Sequence, residues 1–230
     1  MNMPVFTEHA CAFVHIPKTA GTSILQALDA TKDTIEFGAF GLWDALMLHP
    51  EREAIVVDIR RSFRIATLRE FPQQHLPAAA LRRFLGEERW EKLFSFTFVR
   101  NPWDVVVSTY FFQQQYQREG IHREMDPDLA EIVARSQRFS DFVELYVVAR
   151  ADMTAMIVDE RDRDIMSYVG RYESIDSDFT EICRRIGVTA QLPHDNASLH
   201  AGYRHYYNKR TRAIVARHFA RDIDRFGYQF

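Results

Sequence analysis

Cysteine is scarce in this chain of 230 residues: Cys11 and Cys183 are the only two. One sits in an apolar run and the other in a helical pattern. Together they supply neither a disulfide framework nor a zinc-ligand cluster, so a reducing, cytoplasmic setting is expected, and no metal site. Glycine and proline are also few, at 9 and 8 residues, and no internal repeat or low-complexity segment occurs. A positive excess is missing as well. Lys and Arg number 29 against 32 Asp and Glu, a net charge of -3. No sequence-wide basic field exists to hold nucleic acid or an anionic membrane, so any anion site must be local. Long apolar runs are absent too. The apolar stretches, such as Phe94 to Val99 and Tyr146 to Ala149, fall far short of a membrane span, and no basic start precedes a long apolar segment. The expectation is a soluble, unprocessed protein without a membrane span.

What is present is a globular composition, 47% hydrophobic and 27% charged, with 18 phenylalanines that forecast an aromatic core. The length suits one large domain over residues 1–230. Along it, Cys11 to Ile16 is a short apolar run ending at Pro17, and helical spacing follows through Ile24, Leu25 and Leu28. Phe94 to Val99 repeats the pattern as a buried strand, followed by a helix whose start is written in Asn101, Pro102 and Asp104: a cap, a first-turn proline and a first-turn acid. Between them, Ala54 to Ile59 reads as a strand and Leu76 to Leu93 as helical. Strands alternating with helices predict an α/β fold, a central parallel sheet flanked by helices in three layers. The polar segment Gln113 to Gln137 reads as a long loop or lid, with some helix, on the acceptor side. Met156 to Asp159 and Ile165 to Val169 read as a hairpin, Asp178 to Ile186 as a helix stopped by Gly187, and Lys209 to Phe219 as a final helix.

Chemistry concentrates at the two strand-to-helix junctions. In His15-Ile16-Pro17-Lys18-Thr19-Ala20-Gly21-Thr22-Ser23, the loop offers backbone N–H groups at a helix N-terminus, where the helix dipole favours an anion. Gly21 admits close backbone approach, Thr19, Thr22 and Ser23 add hydroxyls, and Lys18 adds a compact cation. In Val99-Arg100-Asn101-Pro102-Trp103-Asp104 with Ser108, Arg100 offers a planar fork for phosphate and Ser108 lies two turns on along the helix. Arg100 pairing structurally with Asp104 explains the same spacing.

These motifs resemble the sulfotransferases that use 3′-phosphoadenosine 5′-phosphosulfate (PAPS), especially the carbohydrate-type heparan and chondroitin enzymes and their bacterial relatives. Val169 to Glu173, the helix through Ile182 and Cys183, and Asp222 to Tyr228 also fit. Val105 departs from the pattern, where relatives often carry a basic residue. The resemblance implies a P-loop-like fold. It implies that Lys18, Thr19, Ala20, Gly21, Thr22 and Ser23 hold the 5′-phosphosulfate, and that Arg100 and Ser108 hold the 3′-phosphate. Lys209 and Arg210 then belong to a late nucleotide loop that includes Asn196, Ser198, Tyr203 and Arg204. The product is adenosine 3′,5′-bisphosphate and the acceptor a hydroxyl, of carbohydrate by the same resemblance.

Sulfuryl transfer needs a cation where charge builds on the leaving phosphate, the part given to Lys18, and a base for the acceptor's proton. His75, ahead of the Leu76-Pro77 helix start, is the candidate base; a capping or surface histidine fits the same position. His15 is read as orienting the loop, and His194, His200 and His205 as solvated loop residues. Two other readings stand at this point. One is a P-loop kinase or NTPase in which Asp58 ends an apolar strand as a metal ligand, although Lys18 precedes Gly21 and no Walker loop exists. The other is a nucleotide-binding module without catalysis.

Overall fold

The computed structural model describes residues 3–29, 34–35, 45–46, 48–63, 75–120, 127–149, 152–193 and 202–230. In chain order the strands are β1 (Met3–Phe6), β2 (Cys11–Val14), β3 (Thr34–Ile35), β4 (Phe94–Val99) and β5 (Tyr168–Arg171). The principal helices are α1 (Gly21–Asp29), α2 (Arg52–Phe63), α3 (Ala78–Leu85), α4 (Glu87–Glu91), α5 (Pro102–Glu119), α6 (Pro127–Arg135), α7 (Phe139–Ala149), α8 (Ile175–Ile186), α9 (Lys209–His218) and α10 (Ala220–Phe226). They group into two compact units, Met1–Val99 with Met153–Asn196, and Arg100–Asp152 with Ala197–Phe230.

The first unit is an α/β layer structure. Its sheet has the order β3-β1-β2-β4-β5. The centre is parallel, β2 to β4 and β4 to β5. The sheet as a whole is mixed rather than parallel, because β1 runs antiparallel to both β2 and β3. Only Thr7 to Ala10 separate β1 from β2, too few residues for the crossover a parallel pair needs. Alternate residues of the central strands, Cys11, Phe13, Phe96 and Phe98, face one core with Ile24 and Leu28 of α1 and Phe179, Ile182 and Ile186 of α8. Each such fully buried phenylalanine contributes about 1.5–3 kcal/mol. The opposite face of β4 carries Thr97, whose hydroxyl donates to the Val14 carbonyl at 2.6 Å, so a polar side chain is accommodated in a fully buried central strand. Gly170 lets β5 lie against β4: a Cβ there would stand 2.7 Å from the Phe98 ring.

Several expected elements differ. Ala54 to Ile59 is not a strand but part of α2. Ile55, Asp58, Ile59 and Ser62 are buried, the i, i+3, i+4, i+7 stripe of a helix, while Val57 is 62% exposed. A run of apolar letters hid a 3.6-residue period. The helical stretch 76–93 is broken into α3 and α4 by Gly86 at φ 82°. The hairpin around 160–164 is reduced to one antiparallel bridge, Val158 to Asp164. Its expected second strand instead joins β4 in parallel as β5. Asp159 organises the turn by accepting N–H bonds from Arg161 and Arg163.

The second unit is helical. Trp103, Val106 and Val107 of α5 pack with Phe142, Val143, Tyr146 and Val147 of α7 and with Val215 of α9. Helix α5 continues to Glu119 and stops at Gly120, φ 69°, and α6 begins at Pro127. The loop expected from 113 is therefore largely helix at both ends, and residues 121–126 lie outside the described residues. Helix α9, Lys209–His218, matches the helix expected at 209–219, and a further short helix, α10, follows it at once.

Candidate active site

In the first unit, the turn from β2 to α1 is built by its own side chains. Thr19 is fully buried and its hydroxyl donates to the Ile16 carbonyl at 2.8 Å, closing the loop on itself. Lys18 and Ala20 both hold φ 67°, a left-handed conformation that costs a non-glycine residue of order 1 kcal/mol and persists where surroundings impose it. The first backbone bond of α1 runs from Ile24 N–H to Ala20 C=O. The N–H groups of Gly21, Thr22 and Ser23 therefore precede the helical register, at the positive end of the dipole, with no acidic side chain in that turn. Thr22 is exposed, Ser23 buried and Lys18 half-buried.

Gly21 also has a packing reason within the loop. A Cβ there would stand 1.9 Å from Cδ2 and Nε2 of His15. The imidazole of His15 occupies the space a side chain would take. That ring is 5% exposed and stacks on Phe13 at 5.6 Å. Burial first, then His75 and Lys18, push its pKa well below the usual histidine value, so it stays neutral.

His75 joins this group. It is buried, its ring centroid lies 4.3 Å from that of His15, and its Nδ1 is 2.7 Å from the His15 carbonyl oxygen. A carbonyl can only accept, so a proton sits on Nδ1; whenever the ring is neutral, its lone pair is on Nε2. Asp58 does not join it. Inside α2, its Oδ2 takes the Arg83 Nε–H at 2.7 Å and its Oδ1 lies 3.6 Å from Arg61. Its carboxylate is a buried ion-pair partner, and the strand-end position the kinase reading requires does not exist.

In the second unit, Asn101 caps α5 by accepting the Trp103 N–H at 3.1 Å, with Pro102 at the first helical position. Its Nδ2 donates to the Gln229 carbonyl at 2.9 Å and to the Tyr203 hydroxyl at 3.3 Å. Arg100, 4% exposed, donates from Nε to Asp104 at 2.8 Å. Ser108 is buried one turn beyond Asp104. Tyr207 donates its hydroxyl to the Trp103 carbonyl at 2.8 Å. Burial, and then the Asp104 charge, hold that phenol well above its ordinary pKa, so it remains a donor. Neither Asn101's double role nor Tyr207 is legible in the sequence, since their distant partners lie 102 to 128 residues away. Lys209 and Arg210 are exposed in the first turn of α9, and Arg210 pairs with Glu144 at 3.1 Å. The loop residues His194, Asn196, Ser198 and His200 lie outside the described residues.

Among the described residues no cluster of three or more His, Cys, Asp or Glu could hold a metal ion. No helix among them is long and apolar enough to cross a membrane. The chain is 23% identical over 119 residues to an uncharacterized protein of Archaeoglobus fulgidus, covering 51% of this chain and 87% of that protein. No solved structure gives a significant match. The profile of the sulfotransferase family, in contrast, matches residues 1–229. With that match spanning nearly every residue, including both strand-to-helix junctions, the chain belongs to the sulfotransferase family, enzymes that transfer sulfuryl groups.

Proposed function

We propose that the protein transfers the sulfuryl group of PAPS to a carbohydrate hydroxyl, with His75 as the general base. The observation that carries the reading is the His75 tautomer: a proton fixed on Nδ1 by the His15 carbonyl leaves Nε2 as the basic atom of a buried ring. The donor supplies the sulfuryl group and departs as adenosine 3′,5′-bisphosphate. Lys18 and the N–H groups of Gly21, Thr22 and Ser23 hold the 5′-phosphosulfate and oppose the charge that grows on the bridging phosphate oxygen as the S–O bond breaks. Thr19 and Ala20 contribute through the loop backbone, since the Thr19 hydroxyl is already engaged with Ile16. As the acceptor oxygen bonds to sulfur, its proton passes to Nε2 of His75. Arg100 and Ser108 take the 3′-phosphate, with Lys209 and Arg210 at the same end of the nucleotide. Both cysteines are buried thiols, which fits a reducing, cytoplasmic setting.

A thermal-shift series tests the donor. Ligand that binds only the folded state raises its melting temperature by mass action. Adenosine 3′,5′-bisphosphate is expected to stabilise the protein, and ATP with Mg²⁺ to do so weakly or not at all. The reverse order overturns the reading. A screen of glycans, phenols and lipid-linked alcohols with labelled PAPS tests the acceptor class.

A further inference from the structure

The histidine at the start of the phosphosulfate loop has a geometry that loop orientation alone does not account for. His15 offers His75 two contacts of different kinds, a carbonyl oxygen 2.7 Å from Nδ1 and a ring face at 4.3 Å. The His15 ring is itself confined on three sides, by Phe13 at 5.6 Å, by His75, and by the bare Cα of Gly21, where a methyl would come within 1.9 Å. Its own Nδ1 is buried with no hydrogen-bond partner among the described residues. A polar atom left unsatisfied in a buried position is a cost that a phenylalanine would avoid. What the ring does provide is shape: it fills the gap between the loop and His75 and fixes the backbone from which its carbonyl projects.

We propose that His15 is the positioning residue for His75: its carbonyl oxygen holds the proton on Nδ1 of His75, and its ring, wedged against Gly21, fixes where that carbonyl stands. In hydrolases this orienting task falls to a carboxylate; here a neutral main-chain oxygen of the donor loop performs it. Burial first, with His75 and Lys18 adding, keeps the His15 ring uncharged, so it does not repel the imidazolium that His75 becomes on taking a proton. Two parts of the site are thereby linked, because whatever moves the His15 ring moves the base. The proposal rests on His75 being the base, but its test does not require turnover.

Nitrogen-15 NMR of the histidine rings reads the tautomer directly. In the wild-type protein one histidine, identified by its loss in His75→Ala, is expected to be in the Nδ1–H form. In Gly21→Ala, where both histidines remain but the methyl displaces the His15 ring, that signal is expected to move toward a tautomer mixture. His15→Ala is expected to do the same and to lower kcat for PAPS turnover at least 10-fold, with KM for PAPS within about 3-fold, the split of a group acting through the base. His75 in the Nε2–H form in the wild type overturns the proposal without any variant. So does an unchanged His75 signal in folded Gly21→Ala or folded His15→Ala. Absence of bisphosphate binding, by contrast, defeats the sulfotransfer reading and leaves the tautomer result standing.

Discussion

Arg100 and Asp104 are locked in a 2.8 Å ion pair across the first turn of α5, with the Arg100 side chain 5% exposed and that of Asp104 16%. Nε of the guanidinium faces the carboxylate, an arrangement that orients the planar fork and fixes its rotamer. The ion pair is a structural duty of Arg100, and the proposed 3′-phosphate contact of the same side chain is separable from it by experiment.

Arg100→Ala is expected to weaken adenosine 3′,5′-bisphosphate binding by about 2 kcal/mol or more, roughly 30-fold, the scale of a charged hydrogen-bonding partner removed from a desolvated site. It also leaves Asp104 without its cation and lowers the melting temperature. Adding Asp104→Asn removes the orphaned charge and is expected to restore part of the stability but none of the affinity. Isothermal titration beside thermal melts separates the two. Equal affinity of Arg100→Ala and wild type would place the 3′-phosphate elsewhere.

Asp58→Ala probes the rejected metal-ligand role. The carboxylate is almost fully buried and pairs with Arg83, whose side chain is 27% exposed. Partial solvation of the arginine reduces the cost below that of a fully buried broken pair, to about 1–3 kcal/mol. PAPS turnover per folded molecule is expected to stay within 2-fold of wild type. A loss of turnover beyond the loss of folded protein contradicts the structural assignment.

Acid sensitivity follows from two carboxylates. Burial pushes the Asp159 carboxyl up, but the Arg163 N–H and guanidinium and the Arg161 N–H outweigh it and bring it down to about 2. Hydrogen bonds from Arg184 and Arg185 lower Glu181 to about 2 as well. Unfolded, such groups titrate near pH 4. Their folded values are depressed, so their contribution to stability is complete above about pH 4 and is lost as pH falls toward about 2. Asp159→Asn is expected to lower stability at pH 7 and to flatten its fall between about pH 4 and 2, as measured by urea unfolding at a series of pH values. An acid limb identical to wild type would show that Asp159 does not carry it.

The parts of this architecture legible in the sequence were those written locally. The strand 94–99 and the start of α5 rest on a contiguous apolar run and on Asn101, Pro102 and Asp104, each acting within one turn. Helix α8 was likewise marked at its stop by Gly187, at φ 71°. Helix α2 reads as a strand in the sequence because Ile55, Val56 and Val57 are adjacent and β-branched, and only burial distinguishes Ile55 from Val57. Strand β1 carries no local signal of its own, because its partners, β2 and β3, supply the reason for its pairing. At the candidate site, motif alone points to Lys18 and Arg100 as candidates. The bond from His75 to a backbone oxygen 60 residues away has no such signal, since a carbonyl carries no signature in the side-chain code. That the His15 ring fills the space beside Gly21 is not legible either, because a missing side chain does not say which neighbour fills the space.

The amide of Asn101 faces in two directions, accepting from the Trp103 N–H and donating to the Gln229 oxygen. Aspartate, otherwise an equal helix cap, would keep the first bond and turn the second into a meeting of two acceptors, beside an acid already present at 104. Serine would cap without reaching across. At this position the usual interchangeability of capping residues is therefore withdrawn, and the choice of a neutral amide records a tie to residue 229 that the helix itself does not need.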